Sequence, residues 1–192
     1  MLLIGLLFLS YIIGSIPTGL ILGKLAYKRD LRRLGSGNIG ATNAFRVLGK
    51  KGGAAVFLID FFKGEIAVLL GMSMIGTPAA MMLCGLFAII GNIFSIFMQL
   101  KGGKGVSTSL GVLSILMPNV ALAVVIVWGA VVFATRYVSL GSITSAILTP
   151  IFAAFLQYDI YYVVFSVIVM AFVIAKHRDN LERLRKGHES RF

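Results

Sequence analysis

The chain has 192 residues, of which 58% are apolar and 13% are charged, and its formal net charge is +11. A soluble domain carries about 25% charged residues, so this composition, with a mean hydropathy of +0.96, excludes an ordinary soluble domain and indicates a polytopic membrane protein. The basic residues flank apolar runs and do not cover a polar face, which excludes nucleic acid as a partner. We expect a single integral-membrane domain over residues 1–192.

Apolar runs predict an all-α fold with about seven transmembrane helices, since a span needs about 20 apolar residues. The first run lacks a basic leader and a small-residue cleavage site, so we expect a span there and not a signal peptide. The fourth run is too short to cross alone, which leaves six spans as an alternative. In chain order the runs are Met1–Ala26, Gly53–Gly76, Pro78–Met98, Ser107–Met117, Val120–Thr135, Ser142–Gln157 and Ile160–Ala175.

Lysine and arginine residues lie in alternate loops and in the C-terminal tail, whereas the loops at Thr77-Pro78, Pro118-Asn119 and Tyr158-Asp159 contain none. Cytoplasmic loops carry an excess of these residues. The pattern therefore predicts seven spans with the N-terminus outside and the C-terminus cytoplasmic. It also places the polar clusters, and hence an active site, at the cytoplasmic face.

The first polar cluster is Gly35–Asn43, which contains the spacing G-x-G-x-x-G. A dinucleotide site requires this spacing within a βαβ unit, which an apolar helical chain does not offer, so we reject that interpretation. Glycines still allow backbone N–H groups to approach an anion, and an arginine fork suits phosphate. A flexible turn between helices is the alternative. The candidate phosphate-binding residues are Ser36, Gly37, Asn38, Thr42, Asn43 and Arg46.

The second cluster is Lys101–Thr108, in which glycines surround a lysine. A Walker A motif needs Ser or Thr directly after its lysine, and Gly105 follows Lys104, so the match fails. Glycines ahead of an apolar run still indicate an anion site at a helix N-terminus, with the lysine as a point charge. A basic tether that only obeys the charge rule is the alternative. The candidates are Gly102, Gly103, Lys104 and Gly105.

His177 and Asn180 follow the last span and stand three residues apart, which places them on one face of a continuing helix. Imidazole titrates near neutral pH and suits a general base; an interfacial histidine without chemical function is the alternative. A weaker cluster, Arg136–Ser142, joins two spans at the same face. Its Ser142 is a candidate for completing a polar pocket, or else belongs to an ordinary loop.

A few residues within the predicted spans are also informative. Asp60 and Lys63 stand at i, i+3, which predicts an ion pair; a direct role in the site is the alternative. Gly19 and Gly23 form a G-x-x-x-G spacing, which predicts close helix packing and not a functional role. Cys84 is the only cysteine, and we expect a buried packing residue there.

The clusters resemble, in order and spacing, those of the bacterial acyl-phosphate:glycerol-3-phosphate acyltransferase family, along nearly the whole chain. That family carries G-S-G-N-x-G-A-T-N, G-G-K-G-V-[AS]-T and H-x-x-N-x-x-R-L, which residues 35–43, 102–108 and 177–184 match. The family commonly has Gly-His where this chain has Gly91-Asn92, so no role of that histidine transfers. Ile39 stands where the family often has proline.

The resemblance implies acyl transfer from acyl phosphate to the 1-hydroxyl of sn-glycerol 3-phosphate at a bacterial inner membrane, without a metal or other cofactor. The implied partners are both substrates, membrane lipid and a soluble enzyme that supplies acyl phosphate. The implied catalytic residues are Ser36, Lys104, His177 and Asn180. Either His177 or the acyl phosphate itself accepts the proton, and either glycine-rich loop holds either phosphate.

Two other functions remain alternatives. A transporter or binding protein for a phosphate-bearing lipid precursor would place polar groups near mid-membrane, often within inverted repeats, whereas these clusters lie at one edge. A CDP-alcohol phosphotransferase would need several aspartates on its helices and a divalent metal. The four aspartates of this chain are scattered, at Asp30, Asp60, Asp159 and Asp179.

Overall fold

The computed structural model describes residues 1–191. Over these residues the chain forms nine α-helices, two short 3₁₀ helices and no strand, which confirms the all-α prediction. The α-helices are α1 Leu2–Ser15, α2 Thr18–Tyr27, α3 Ala41–Met74, α4 Pro78–Ile93, α5 Val106–Leu116, α6 Pro118–Thr135, α7 Val138–Phe155, α8 Ile160–Lys176 and α9 Arg178–Arg185.

The chain divides into two compact units, one over Met1–Leu116 and one from Met117 onward. In the first unit α3 packs against both α4 and α5, α1 packs along α4, and α2 packs on α3. In the second unit α7 packs between α6 and α8, and α9 continues from α8. The single domain expected over residues 1–192 stays a prediction.

Three helical stretches of residues 1–191 are long and apolar enough to cross a membrane: Pro78–Met98, Pro118–Thr135 and Val138–Phe155. The number rises to five if each of two bent pairs, α1 with α2 and α8 with α9, counts as one span. Helix α5 has 11 residues and is too short to cross alone. Seven spans and their orientation therefore stay predictions.

Several predicted spans differ from the observed helices in their bounds. The run Met1–Ala26 is two helices bent by 40°, because Pro17 lacks an N–H donor and restricts Ile16 before it. Helix α3 begins at Ala41, earlier than predicted, and contains a break at Gly49, where φ is 78° and ψ is −176°. Such a backbone conformation is open essentially only to glycine. Because α3 begins at Ala41, the first glycine-rich cluster leads directly into this helix.

Glycines bring the backbones of α1 and α4 into close contact. A Cβ on Gly14 would overlap the Ala88 backbone, and a Cβ on Gly91 would overlap the Tyr11 backbone. The Tyr11 hydroxyl also donates to the Phe94 carbonyl at 2.7 Å. These contacts fix the end of α4, to which the second glycine-rich cluster is hydrogen-bonded.

The close helix packing predicted for Gly19 and Gly23 is wrong in its partner, because both glycines lie against the segment 28–40 and not against another α-helix. A Cβ on Gly19 would overlap the Ile39 carbonyl, and one on Gly23 would lie 2.7 Å from the Arg29 carbonyl oxygen. The segment 28–40 therefore rests on α2. Cys84 is fully buried, as predicted.

We expect Gly14→Ala to destabilise the protein by about 1–3 kcal/mol, because the added methyl group forces α1 away from α4. Thermal unfolding in detergent should then show a midpoint lower by several degrees. Gly5→Ala is the matched control on the same helix, because a Cβ there meets nothing within 4 Å. Equal midpoints for the two variants would contradict the packing argument.

Candidate active site

The first glycine-rich cluster is shaped by the Asn43 side chain. The Asn43 Nδ2 group donates to the carbonyl oxygens of Asn38 at 2.8 Å, Leu34 at 3.0 Å and Leu31 at 3.2 Å. Its Oδ1 accepts from the Ser36 N–H at 2.9 Å. Asn43 is only 2% exposed, so its amide is committed to the loop and holds the loop in one conformation.

The rest of this cluster has the features of a turn that opens a helix. Gly35 and Gly37 have φ of 59° and 73°, a region that favours glycine. The Asn38 Oδ1 accepts from the Gly40 N–H at 2.8 Å, just before α3 begins. Ser36 is exposed, while Thr42 and Arg46 are half-buried. The exposed part of the cluster is thus Ser36 with Gly35 and Gly37 on either side of it.

An ion pair secures the segment ahead of this cluster. The Arg32 guanidinium contacts the Asp30 carboxylate at 2.7 Å, and the Arg32 N–H donates to the same carboxylate at 3.1 Å. The side-chain hydrogen bond from Arg32 holds the pKa of Asp30 well below its ordinary value. Asp30 therefore stays ionised and begins the 3₁₀ turn Leu31–Arg33.

The second glycine-rich cluster is shaped by Asn92. The Asn92 Oδ1 accepts from the Gly105 N–H at 3.2 Å, and its carbonyl accepts from the Gly103 N–H at 2.9 Å. The Ile93 carbonyl accepts from the Gly102 N–H at 3.1 Å. A Cβ on Gly102 would overlap the Asn92 carbonyl. The loop can therefore lie on the end of α4 only because these positions are glycines.

Helix α5 starts directly after this loop. The first N–H groups of a helix have no partner within the helix and carry partial positive charge. Lys104 is half-buried beside this helix end. Thr108 and Ser109, in the first turn, are 0% and 5% exposed, and within residues 1–191 their hydroxyls have no hydrogen-bond partner. These groups together suit an anion.

The third cluster lies at the bend between α8 and α9, in the second unit. The His177 Nδ1 lies 2.8 Å from the Val173 carbonyl oxygen. Because a carbonyl only accepts, Nδ1 carries the proton of the neutral ring and Nε2 carries the lone pair. His177 is 2% exposed and Asn180 is 5% exposed. The sequence predicted a continuing helix with both residues on one face, but the chain bends by 56° at His177, between α8 and α9.

Glu189 organises this third cluster and is absent from the sequence predictions. Its Oε1 accepts from the Asn180 amide at 2.7 Å and from the Ser139 hydroxyl at 2.8 Å, and its Oε2 accepts from Arg183 at 2.7 Å. Burial acts to raise the pKa of Glu189, but the hydrogen bonds from Arg183, Ser139 and Asn180 outweigh it and lower the pKa. The only sequence signal is an acidic residue within a basic tail.

Ser142, the predicted candidate from the loop between α6 and α7, is buried in α7, and its hydroxyl donates to the Val138 carbonyl at 3.0 Å. Ser139 of the same cluster is the residue that reaches Glu189. Asp60 and Lys63 form the predicted ion pair, at 2.6 Å. Within residues 1–191, no three His, Cys, Asp or Glu side chains are grouped as metal ligands.

The structure thus brings the predicted residues together in three groups. Ser36, Asn38 and Asn43 belong to one loop; Gly102, Gly103 and Gly105 belong to a second loop held by Asn92; Asn180 belongs to a third group with Glu189. The first two groups lie in the first compact unit and the third lies in the second unit.

Comparison with known proteins identifies the family. The glycerol-3-phosphate acyltransferase family model matches residues 4–187. The chain is 41% identical over 187 residues to the glycerol-3-phosphate acyltransferase of Syntrophomonas wolfei, covering 97% of this chain and 95% of that protein. It is 44% identical over 184 residues to that of Bacillus subtilis, covering 96% and 94%.

Two solved structures of PlsY (YgiH), an integral membrane glycerol 3-phosphate acyltransferase, each cover 100% of this chain, and the match covers 96% of each PlsY chain. The glycerol 3-phosphate form is 39% identical with a TM-score of 0.95. The lysophosphatidic acid form is 38% identical with a TM-score of 0.92. The chain belongs to the glycerol-3-phosphate acyltransferase family and is a multi-pass membrane enzyme.

Asn92 provides a test of the second loop. Asn92→Leu removes the acceptor for the Gly105 N–H, and we expect kcat/KM to fall about tenfold, the scale of one lost hydrogen bond. Asn92→His should keep kcat/KM within about threefold, because imidazole Nδ1 can accept at the position of Oδ1. Asn119→Leu, at an exposed asparagine, is the control. Equal losses for the histidine and leucine variants would refute the acceptor role.

Glu189 gives a pH prediction. Its folded-state pKa lies below the ordinary value of 4.5, so its stabilisation of the tail is complete above about pH 4.5 and is lost as the pH falls through the folded pKa. Hydrogen exchange of residues 177–189, corrected for intrinsic rates, should stay constant from about pH 8 to 5 and accelerate below about pH 4. Glu189→Gln should abolish this dependence, whereas Glu182→Gln, at an exposed carboxylate, should retain it.

Proposed function

We propose that this enzyme transfers an acyl group from acyl phosphate to the 1-hydroxyl of sn-glycerol 3-phosphate, giving 1-acyl-sn-glycerol 3-phosphate (lysophosphatidic acid) and inorganic phosphate. One observation carries the proposal: a protein with the same fold over the whole chain has been solved in a glycerol 3-phosphate form and in a lysophosphatidic acid form. These two molecules differ by one acyl group, so they correspond to an acceptor and its acylated product.

The chemistry of the loops supports acyl phosphate as the donor. Acyl phosphate and glycerol 3-phosphate each carry a phosphate, and the chain has two glycine-rich loops with basic residues. Acyl phosphate is a mixed anhydride and is already activated toward attack. The enzyme then contributes positioning and charge stabilisation. A soluble enzyme that makes acyl phosphate would be the matching partner.

We assign one substrate phosphate to the Gly35–Asn43 loop, where Ser36, Thr42 and Arg46 present polar groups. In this assignment Asn38 and Asn43 hold the loop in shape through their internal hydrogen bonds, and Gly37 allows the turn. The other phosphate binds to Lys104 and the N-terminus of α5, with Gly102, Gly103 and Gly105 keeping the backbone close to the anion.

In our proposed mechanism, the proton of the glycerol hydroxyl is taken by the departing phosphate. The glycerol hydroxyl attacks the acyl carbon, the bond between that carbon and the phosphate oxygen breaks, and the departing phosphate takes the hydroxyl proton. His177 acts as a hydrogen-bonding group that orients the acceptor and does not take this proton, with its ring held by the bond between Nδ1 and the Val173 carbonyl. Asn180 stabilises the developing oxyanion, and Ser142 contributes to the polar wall.

We also propose seven spans in a bacterial inner membrane, with the N-terminus outside and the C-terminus and active site in the cytoplasm. The support is the distribution of lysine and arginine, which avoids the three loops assigned to the outside. A cytoplasmic interface serves a water-soluble acceptor and a donor with a lipid-like chain.

A donor competition assay tests the proposed reaction. Purified enzyme receives glycerol 3-phosphate together with acyl phosphate, acyl-CoA or acyl carrier protein as donor, and product formation is measured. We expect acylation with acyl phosphate alone. Acylation from another donor instead, or uptake of glycerol 3-phosphate into proteoliposomes without acyl transfer, would overturn the proposal.

We expect Lys104→Ala to lower kcat/KM by about 2–3 kcal/mol, or roughly 30- to 150-fold, because a charge-assisted contact to phosphate is lost. Lys101→Ala is the control, since Lys101 lies on the same loop and is exposed. Wild-type kcat/KM in a folded Lys104→Ala enzyme would contradict the phosphate role.

The His177 variants test where the proton goes. His177→Ala should lose activity in either mechanism. If the phosphate accepts the proton, His177→Gln should retain much of the activity that alanine loses, because an amide can still orient a hydroxyl. If His177 is the general base, both variants should lose about 10²- to 10⁴-fold. His188→Gln, at an exposed tail histidine, is the control for both.

A further inference from the structure

At the break between α1 and α2, the Ile16 carbonyl lies outside the helices and accepts a hydrogen bond from a buried ammonium group. Pro17 ends α1, and the Ile16 carbonyl accepts from the Thr18 N–H at 2.9 Å. The Lys63 ammonium, which comes from α3, donates to the same carbonyl. Lys63 is 4% exposed, and a buried ammonium is tolerated only where its charge and hydrogen bonds are matched.

Thr18 and Asp60 complete this match. The Lys63 ammonium donates to the Thr18 hydroxyl and, at 2.6 Å, to the Asp60 carboxylate. The Thr18 hydroxyl donates in turn to Asp60 at 2.8 Å. Thr18 and Asp60 are 5% and 7% exposed. An ammonium has three N–H bonds, and all three have acceptors here, so the group is a closed polar cluster.

This cluster fixes the start of α2, on which the first glycine-rich loop rests. Gly19, the next residue after Thr18, lies directly against the Ile39 carbonyl, and a Cβ there would be 3.1 Å from the Leu31 side chain. Leu31 is fully buried and packs with Ala44 and Leu48 of α3. A shift of α2 would therefore move Ile39, and the loop around Ser36 with it.

We infer that Asp60, Lys63 and Thr18 are positioning residues for the Gly35–Asn43 loop, which they hold in its substrate-binding conformation through α2. The inference rests on the proposed binding of a substrate phosphate by this loop. The cluster acts on substrate affinity as well as on stability, because Thr18 belongs to it and the next residue, Gly19, lies against the Ile39 carbonyl of the loop.

The first variant changes Thr18, because replacing Asp60 or Lys63 alone would leave an unpaired buried charge and could prevent folding. Thr18→Val keeps the shape of the side chain but removes the hydroxyl, and Thr18→Ser restores the hydroxyl. We expect Thr18→Val to raise the KM of one substrate about threefold to tenfold, with a smaller change in kcat, and Thr18→Ser to restore it. Arg46→Gln, within the loop, should raise the KM of the same substrate.

A double variant distinguishes an effect on the position of the Gly35–Asn43 loop from an effect on the stability of the protein. Asp60→Leu combined with Lys63→Met removes both charges together, a change that often leaves stability unaltered. We expect a wild-type unfolding midpoint with a KM raised about tenfold or more. Hydrogen exchange should accelerate across residues 31–43 and stay unchanged across residues 101–108. The control is Glu65→Gln, which also removes a charge from α3. Glu65 accepts a hydrogen bond from Ser114 of α5 and lies outside the cluster.

Wild-type KM in folded Thr18→Val and double variants, alongside a raised KM in Arg46→Gln, would overturn the positioning role and leave the proposed function intact. Unchanged KM for both substrates in Arg46→Gln would overturn the phosphate assignment of the loop, and the positioning role with it. A raised KM for the same substrate in Thr18→Val, the double variant and Arg46→Gln, with faster exchange in residues 31–43, supports both the positioning role and the phosphate assignment.

Discussion

The structure depends on how backbone groups are satisfied where helices break in an apolar environment. Each carbonyl and N–H that leaves a helix needs a partner, and lipid supplies none. At three such places one residue provides several bonds: Lys63 at the α1–α2 break, Asn43 in the first glycine-rich loop and Asn92, through its side chain and its carbonyl, in the second. The polar residues of this chain are therefore concentrated where the backbone is irregular.

This constraint separates the residues that shape the loops from those that we propose act on substrate. The amides of Asn43 and Asn92 are engaged with the protein itself, whereas Ser36 is exposed and Lys104 half-buried at the start of a helix. Under the proposed reaction, the two loops would each hold one phosphate-bearing substrate in a fixed position. Rigid loops suit a reaction in which the donor is already activated, since correct placement is the main requirement.

Much of the fold and part of the site follow from the sequence. Apolar runs predicted the helices, and the spacing of Asp60 and Lys63 predicted their ion pair, because both signals depend on neighbours along one helix. The roles of Asn92 and Glu189 could not be predicted. Asn92 acts on Gly105, 13 positions away, and Glu189 acts on Ser139, 50 positions away. Such contacts depend on the tertiary fold, and the spacing of residues within one segment of the chain does not predict them.

The Asn43 side chain has a consequence for the order of folding. All its backbone partners, Leu31, Leu34, Ser36 and Asn38, precede it within 12 positions. Closing so short a loop has a small entropic cost, and contacts local in sequence form fastest. The first loop can thus close during synthesis, before α4 and α5 exist. Lys63 reaches Ile16 across 47 positions, so its docking onto the α1–α2 break follows as a later step.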